Sequence, residues 1–160
     1  MLTDISYLQY GDSKTAYLST ILDASTNEVL SFQVKENMKL ELVMETLSQL
    51  KDKRFINFGN SMIHSDQGWH YRHKQYVQML QEKGIRQSMS RKGNCYDNSV
   101  MENFFGHLKS ELLYLEEFES MEHFKAELIE YIDYYNNRRI KARLKGLPPA
   151  LHRQQALSAA

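Results

Sequence analysis

The sequence predicts an α/β domain: a five-stranded mixed sheet with helices on both faces. Three observations carry this expectation. The first 35 residues hold three runs rich in β-branched and aromatic residues, divided by turn formers and with no helical periodicity between them. Two later strand-like runs are set off by helical segments, which makes the sheet mixed rather than a pure meander. The chain has 160 residues with 42% hydrophobic content, enough apolar surface for one domain with a core between layers.

The first two runs, Ile5 to Tyr10 and Thr15 to Ser25, are split by Gly11-Asp12-Ser13-Lys14, a hairpin-type connection. Ser25-Thr26-Asn27-Glu28 then turns the chain into Val29 to Val34. Leu40, Val43, Met44, Leu47 and Leu50 recur at helical spacing within Lys39 to Lys51. Ser61 to Ser65 reads as a short buried strand that closes at Asp66, followed by the turn signal Gln67-Gly68. Tyr76, Val77, Met79 and Leu80 mark a helix ended by Gly84, and Ile85 to Ser90 is the fifth strand. Two helices follow, from about Ser99 to Phe118 and from Ser120 to about Asn137. Val100, Phe104, Leu108, Leu112 and Leu115 form the buried stripe of the first, and Phe124, Leu128, Ile132 and Tyr135 that of the second. The expected division is a core over residues 1–137 and a basic tail over 138–160. This order is compatible with a ribonuclease-H-like layer architecture, although periodicity by itself selects only α/β with five strands.

Composition excludes several classes of function. Lysine plus arginine equals aspartate plus glutamate at 20 each, so the domain does not wrap a polyanion by bulk charge. Any polyanion must be met locally or through metal ions. Cys95 is the only cysteine, which rules out an internal disulfide and suits a reducing compartment. No apolar run approaches the roughly 20 residues that cross a bilayer. The start MLTDISY lacks the basic and apolar regions of a signal peptide. The expectation is a cytoplasmic protein with no membrane partner. His64, His70, His73 and Cys95 are zinc-ligand types, but one cysteine and irregular spacing do not make a structural zinc site.

The stretch from His64 to Lys109 carries the residues suited to chemistry. Asp66 stands at a strand end and Glu102 in the first turn of a helix, with Lys109 seven residues later. At about 3.6 residues per turn, Glu102, Gly106 and Lys109 share a face turned away from the apolar stripe. An acid at a strand end, an acid on a helix and a lysine above it suit a metal-dependent phosphate site. Each also has a plainer reading. Asp66 before Gln67-Gly68 fits a turn, Ser99-x-x-Glu102 fits a capping box, and Lys109 fits a solvated helix face. Arg91 and Lys92 lead into the polar loop Gly93 to Asn98, which is either a DNA-contacting loop or an ordinary connection. Trp69 and Tyr71 either stack on an unpaired base or pack against protein. Glu111 to Asp133 is markedly acidic, whereas Arg138, Arg139, Lys141, Arg143, Lys145 and Arg153 follow with no acid among them. That basic tail is the electrostatic candidate for DNA backbone contact, against a merely solvated tail.

Thr3-Asp4-Ile5-Ser6-Tyr7, His64-Ser65-Asp66-Gln67-Gly68, Ser88 to Ser99, Glu102 to Glu111 and Tyr134 to Arg139, taken in order over essentially the whole chain, resemble the catalytic domain of bacterial insertion-sequence transposases. The group resembled makes its transposase from two overlapping reading frames, and its core is akin to retroviral integrase. The resemblance implies a ribonuclease-H-like fold. It also implies an Asp-Asp-Glu set in which Asp4, Asp66 and Glu102 bind Mg²⁺ or Mn²⁺, two ions per site, and cut and join DNA strands. Lys109 matches the basic residue thought to contact DNA near the scissile phosphate. Asn98, Arg91, Lys92, Arg138 and Arg139 are the further DNA-contact candidates. The implied partners are DNA, as element ends and target, and further copies of the chain assembled on it. The chain begins almost on the first catalytic strand, without the helix-turn-helix and coiled-coil regions that full-length members carry upstream. It also lacks the His that many members have two residues beyond Arg139.

The residue types suit this chemistry on physical grounds. In-line displacement at a phosphodiester needs an activated oxygen nucleophile and a stabilised leaving oxygen, which two metal ions about 4 Å apart supply. Hard cations prefer carboxylate oxygens. Two rival functions fit the same features: another ribonuclease-H-like nuclease, acting on hybrids or junctions, and a non-catalytic DNA-binding or assembly remnant of a decayed element. Intact Asp4, Asp66 and Glu102 argue against decay.

Overall fold

The computed structural model describes residues 1–91 and 99–158. Five strands form one sheet in the order β3-β2-β1-β4-β5. The strands are β1 (Leu2–Gly11), β2 (Lys14–Leu22), β3 (Val29–Lys35), β4 (Met62–Ser65) and β5 (Arg86–Met89). β1, β2 and β3 pair antiparallel, whereas β4 joins β1 and β5 joins β4 in parallel. The mixed sheet expected from the sequence is therefore present. Six α-helices accompany it among the described residues: α1 (Leu40–Ser48), α2 (Trp69–Arg72), α3 (Lys74–Glu82), α4 (Ser99–Leu108), α5 (Met121–Asn137) and α6 (Pro149–Ser158).

The pleat sorts β1 between two cores. Leu8 and Tyr10 point to one face and pack with Phe104, Leu108, Phe124 and Leu128 of α4 and α5. Ile5 joins the opposite core, where Ile21, Ile63, Val43, Leu47 and Leu80 bring α1 and α3 against the sheet. Successive strand residues face opposite sides, so Asp4 shares the face of α4 with Leu8 and Tyr10. Phe124 is fully buried between the stacked ring of Tyr10 at 5.0 Å and the edge of Phe118. Burial of one such side chain stabilises the fold by about 2–3 kcal/mol.

β1 and β4 touch in register only at Leu2 and His64, although β1 runs on to Gly11. Beyond that point the two strands part. Asp4 follows the last paired residue of β1 by two, and Asp66 follows the last residue of β4 by one. The divergence opens the sheet beside both acids, and α4 lies across it.

Two expectations change. The helix expected from Ser99 to Phe118 is α-helical only to Leu108. Lys109–Leu113 then widens into a π turn, closed by the Tyr114 N–H donating to the Lys109 carbonyl at 2.9 Å. The wider turn shifts the register of everything after it, so Leu112 and Leu113 are buried while Leu115, expected in the stripe, is 72% exposed. The second strand ends at Leu22 rather than Ser25. Asp23 accepts from the backbone N–H and the hydroxyl of Ser25, and Asn27 takes a positive φ of 59° that turns the chain into β3.

Past Asn137 the chain continues into structure. Lys141 bridges to Leu147 around a turn in which Lys145 and Gly146 both have positive φ. α6 then packs against α5, and Arg153 stacks on Phe55 while donating to the buried Glu28 carboxylate at 2.5 Å. Asn136, within the Tyr134–Arg139 motif, acts as a substitute strand partner. Its side-chain amide accepts from the Val29 N–H at 2.8 Å and donates to the Val29 carbonyl at 2.9 Å.

Candidate active site

Asp4, Glu102 and Lys109 line one cavity of about 320 Å³, together with Ile5, Ser6, Phe105 and Gly106. Asp4 is half-buried on β1, and its Oδ1 accepts from the Ile5 N–H at 2.8 Å. Glu102 is exposed on α4, one turn before Gly106 and two before Lys109. A β-carbon at Gly106 would touch nothing within 4 Å, so the glycine leaves that wall of the cavity open. The Lys109 ammonium sits 5.9 Å over the exposed ring of Tyr7. This contact reaches over the part of β1 that β4 leaves unpaired and aims the lysine along the cavity rim.

Asp66 does not line that cavity. It is exposed just past β4, where its Oδ1 accepts from the Gly68 N–H at 2.8 Å in a short turn. The end of β4 is fixed by two further bonds. The Ser90 N–H donates to the Ser65 carbonyl at 2.9 Å, and the Gln67 amide donates to the Ser90 carbonyl at 3.1 Å. A β-carbon at Gly68 would stand 2.8 Å from Asp66 Oδ1. Only glycine lets this carboxylate keep its position.

Tyr71 of α2 is buried, and its hydroxyl is held well above the ordinary phenol range by burial first, then by Tyr76, Asp4 and Asp66. Among the described residues no three His, Cys, Asp or Glu side chains stand close enough to share a metal ion. The fold thus brings Asp4 and Glu102 to one cavity, while Asp66 stands outside it just past the end of β4. Oxygen donors on a strand, a strand end and a helix face fit a hard divalent cation, which takes carboxylates and retains water.

The other candidate residues are distributed as follows. Arg91 is exposed beyond β5, and Lys92 and Asn98 lie outside the described residues, as does Cys95. Arg138 is exposed, 3.6 Å from Asp133 and over the ring of Tyr134. Arg139 instead donates to both Glu111 oxygens, the shortest contact being 2.6 Å, and lies 3.1 Å from His107 Nδ1. Tyr131 adds a hydrogen bond to the same carboxylate at 3.1 Å. The Arg139 hydrogen bond is the main reason that Glu111 is held below the usual carboxylate range. His70 is buried under Trp69 and bonds the Met38 carbonyl at 2.9 Å, and His64 pairs with Ser88 at 3.0 Å. Trp69 therefore packs against protein, and these histidines have structural partners. Sequence reasoning took Gly68 only as a turn former, Tyr71 only as a ring that stacks on a base or packs, and Glu111 only as part of an acidic run and a motif. The Asp66-Gln67-Gly68 turn signal was sufficient to find Gly68, whereas nothing local marks the other two.

The strand order and the layered helices match those of retroviral integrase catalytic cores, which have a ribonuclease-H-like fold. The catalytic core of bovine immunodeficiency virus (BIV) integrase superposes with a TM-score of 0.72 at 17% identity, over 99% of this chain and 95% of that one. The HTLV-2 integrase core, solved in complex with magnesium, gives 0.67 at 15% identity, over 92% of this chain and 90% of that one. This likeness defines the class of fold. Family models described as integrase core domain match residues 1–95 and 102–157, and the chain belongs to the integrase core family. It is similar to the putative transposase InsK of insertion sequence element IS150 from Escherichia coli (strain K12). The two are 46% identical over 96% of this chain and 54% of that protein. An uncharacterized transposase-like protein of Haemophilus influenzae is 41% identical over 98% of this chain and 71% of that one. The chain thus spans about half the length of the first of these curated relatives. Among the described residues no helix is long and apolar enough to cross a membrane.

Proposed function

We propose that this domain cleaves DNA strands and transfers the freed ends, as a polynucleotidyl transferase that uses Asp4, Asp66 and Glu102 with Mg²⁺ or Mn²⁺. The observation that carries the reading is the joint opening of Asp4, Glu102 and Lys109 onto one cavity beside the β1–β4 divergence, in a chain of the integrase core family. Asp4 and Asp66 would hold one divalent ion and Glu102 would help with a second. When bound, such ions activate an oxygen nucleophile and stabilise the leaving oxygen at a phosphodiester.

The chain's own residues do the rest. Asp4, rooted on a ten-residue strand, and Glu102, on a packed helix, keep their separation fixed while the DNA moves. Lys109 offers a point charge to a phosphate oxygen at the rim, with donors free to rotate as an arginine's are not. The exposed Arg91 and Arg138, with Lys92 and Asn98, are the proposed flanking DNA contacts, whereas Arg139 is engaged by Glu111. DNA supplies both the cut strand and the target, and copies of the chain assemble on it. The site of action is the cytoplasm.

Manganese titration followed by nicking of supercoiled plasmid tests this reading. Wild-type protein should bind Mn²⁺ and nick the plasmid. Asp66→Asn should weaken the binding and abolish nicking while leaving the circular dichroism spectrum and melting temperature unchanged. Nicking that survives in Asp66→Asn would refute the assignment. A wild-type protein that binds no Mn²⁺ would favour a non-catalytic DNA-binding or assembly role.

A further inference from the structure

Helix α4 separates two cavities. Glu102, Gly106 and Lys109 face the acidic one, whereas Ser99, Asn103 and His107, spaced four apart on the neighbouring side of the same helix, face a second of about 540 Å³. The far wall of the second cavity is the segment after α5, with Arg139, Lys141 and Arg143. No acid is among the described residues that line it.

The charge of this cavity is only partly neutralised. Arg139 spends its guanidinium on Glu111. Lys141 has no carboxylate partner among the described residues. Its ammonium lies 4.2 Å over the Tyr135 ring and donates to the Tyr135 hydroxyl. Burial, then Arg139 and to a lesser degree Arg143, push the Lys141 ammonium down to about 8, with Glu111 opposing. A half-buried cation among like charges would be relieved by an anion.

We propose that this cavity seats a backbone phosphate of DNA, held by Lys141, Arg143 and the Asn103 amide, on the side of α4 next to the one that faces the reacting phosphate. The inference rests on the reading of the acidic cavity as a DNA site and adds a second anchor to it. A strand gripped at both points would be held in register across the helix that carries Glu102.

Two measurements test it. The first is binding of a generic 20-base-pair duplex as a function of salt for wild type, Lys141→Gln, Arg143→Gln and, as a control for net charge, Lys51→Gln on the far surface. Each cavity variant should lower affinity several-fold and flatten the log–log salt slope by about one, as loss of one phosphate contact does. Arg143 is exposed, so its variant carries no folding cost. The second is NMR titration of Lys141 with and without inorganic phosphate, which should move the midpoint upward from about 8. Wild-type duplex binding with cavity variants equal to Lys51→Gln overturns the inference and leaves the acidic site standing. A Lys141 midpoint unmoved by phosphate overturns it independently. If phosphate moves the midpoint but wild type binds no duplex, the anion site is right and the DNA reading is wrong.

Discussion

Two glutamates, Glu102 in the first turn of α4 and Glu111 in the π turn that follows the helix, have opposite circumstances. Glu111 is half-buried and gripped by Arg139 and Tyr131, with His107 beside it. Glu102 is exposed and opens on a cavity with Asp4 and Lys109. The difference separates a charge that holds the fold from one held ready by it. A partnered carboxylate gains its stability from contacts already made. A carboxylate turned to a cavity leaves its oxygens open to an arriving cation.

Substitutions at the two sites should therefore separate activity from stability. Glu102→Gln should lower metal-dependent nicking by about 10³-fold, on the scale of removing one group that stabilises charge in a transition state, with melting unchanged. A loss of folding at Glu102→Gln would erase the contrast. Arg139→Ala should do the converse. It leaves Glu111 half-buried and unpaired, and urea unfolding should show a loss of about 2 kcal/mol, below the full range for buried pairs because both side chains retain some exposure. Arg139→Lys should recover only part of this, since an ammonium lacks the forked geometry that meets both oxygens.

Gly68→Ala probes positioning with a smaller effect. The added β-carbon meets the end of the Asp66 side chain, which swings away at little cost, so stability should stay within about 0.5 kcal/mol. Manganese affinity should fall several-fold, and an unchanged affinity would mean that Asp66 does not need this rotamer. The smallest effect expected is a pH dependence of stability. Lys141 is held down to about 8 in the fold and returns to its ordinary value on unfolding. Between about 8 and the ordinary lysine range the unfolded chain binds more protons, so stability from this group rises with pH there. His107 is likewise lowered, by burial and by Arg139, so its contribution falls as pH drops through the ordinary histidine range. Lys141→Met should flatten the alkaline rise and His107→Asn the acid fall, both read by urea unfolding across pH 5 to 10.

Much of the fold was legible before the structure. The β1–β2 hairpin lies where Gly11 to Lys14 announce a turn, and α5 begins at Ser120, whose hydroxyl accepts from the His123 N–H at 3.0 Å. Helical spacing also put Glu102 and Lys109 on one face, because that stretch of α4 keeps the α-helical repeat as far as Leu108. Leu115 escaped because the π turn is invisible to a fixed period. The tail was read from its charges only as basic. Its order comes from Arg153 reaching Glu28, 125 residues earlier, and no local pattern records such a pairing.

Alternation, turn formers and helical spacing act between near neighbours in the chain, so the sequence alone determined the strands, most helices and the shared face of Glu102 and Lys109. The gathering of Asp4 with Glu102 across 98 positions, and the placing of an acidic and a basic cavity on neighbouring sides of α4, were decided by the tertiary structure. The physical reason is packing: β1 parts from β4 after a single paired position, and apolar burial of α4 against β1 fixes which of its polar sides meets each opening.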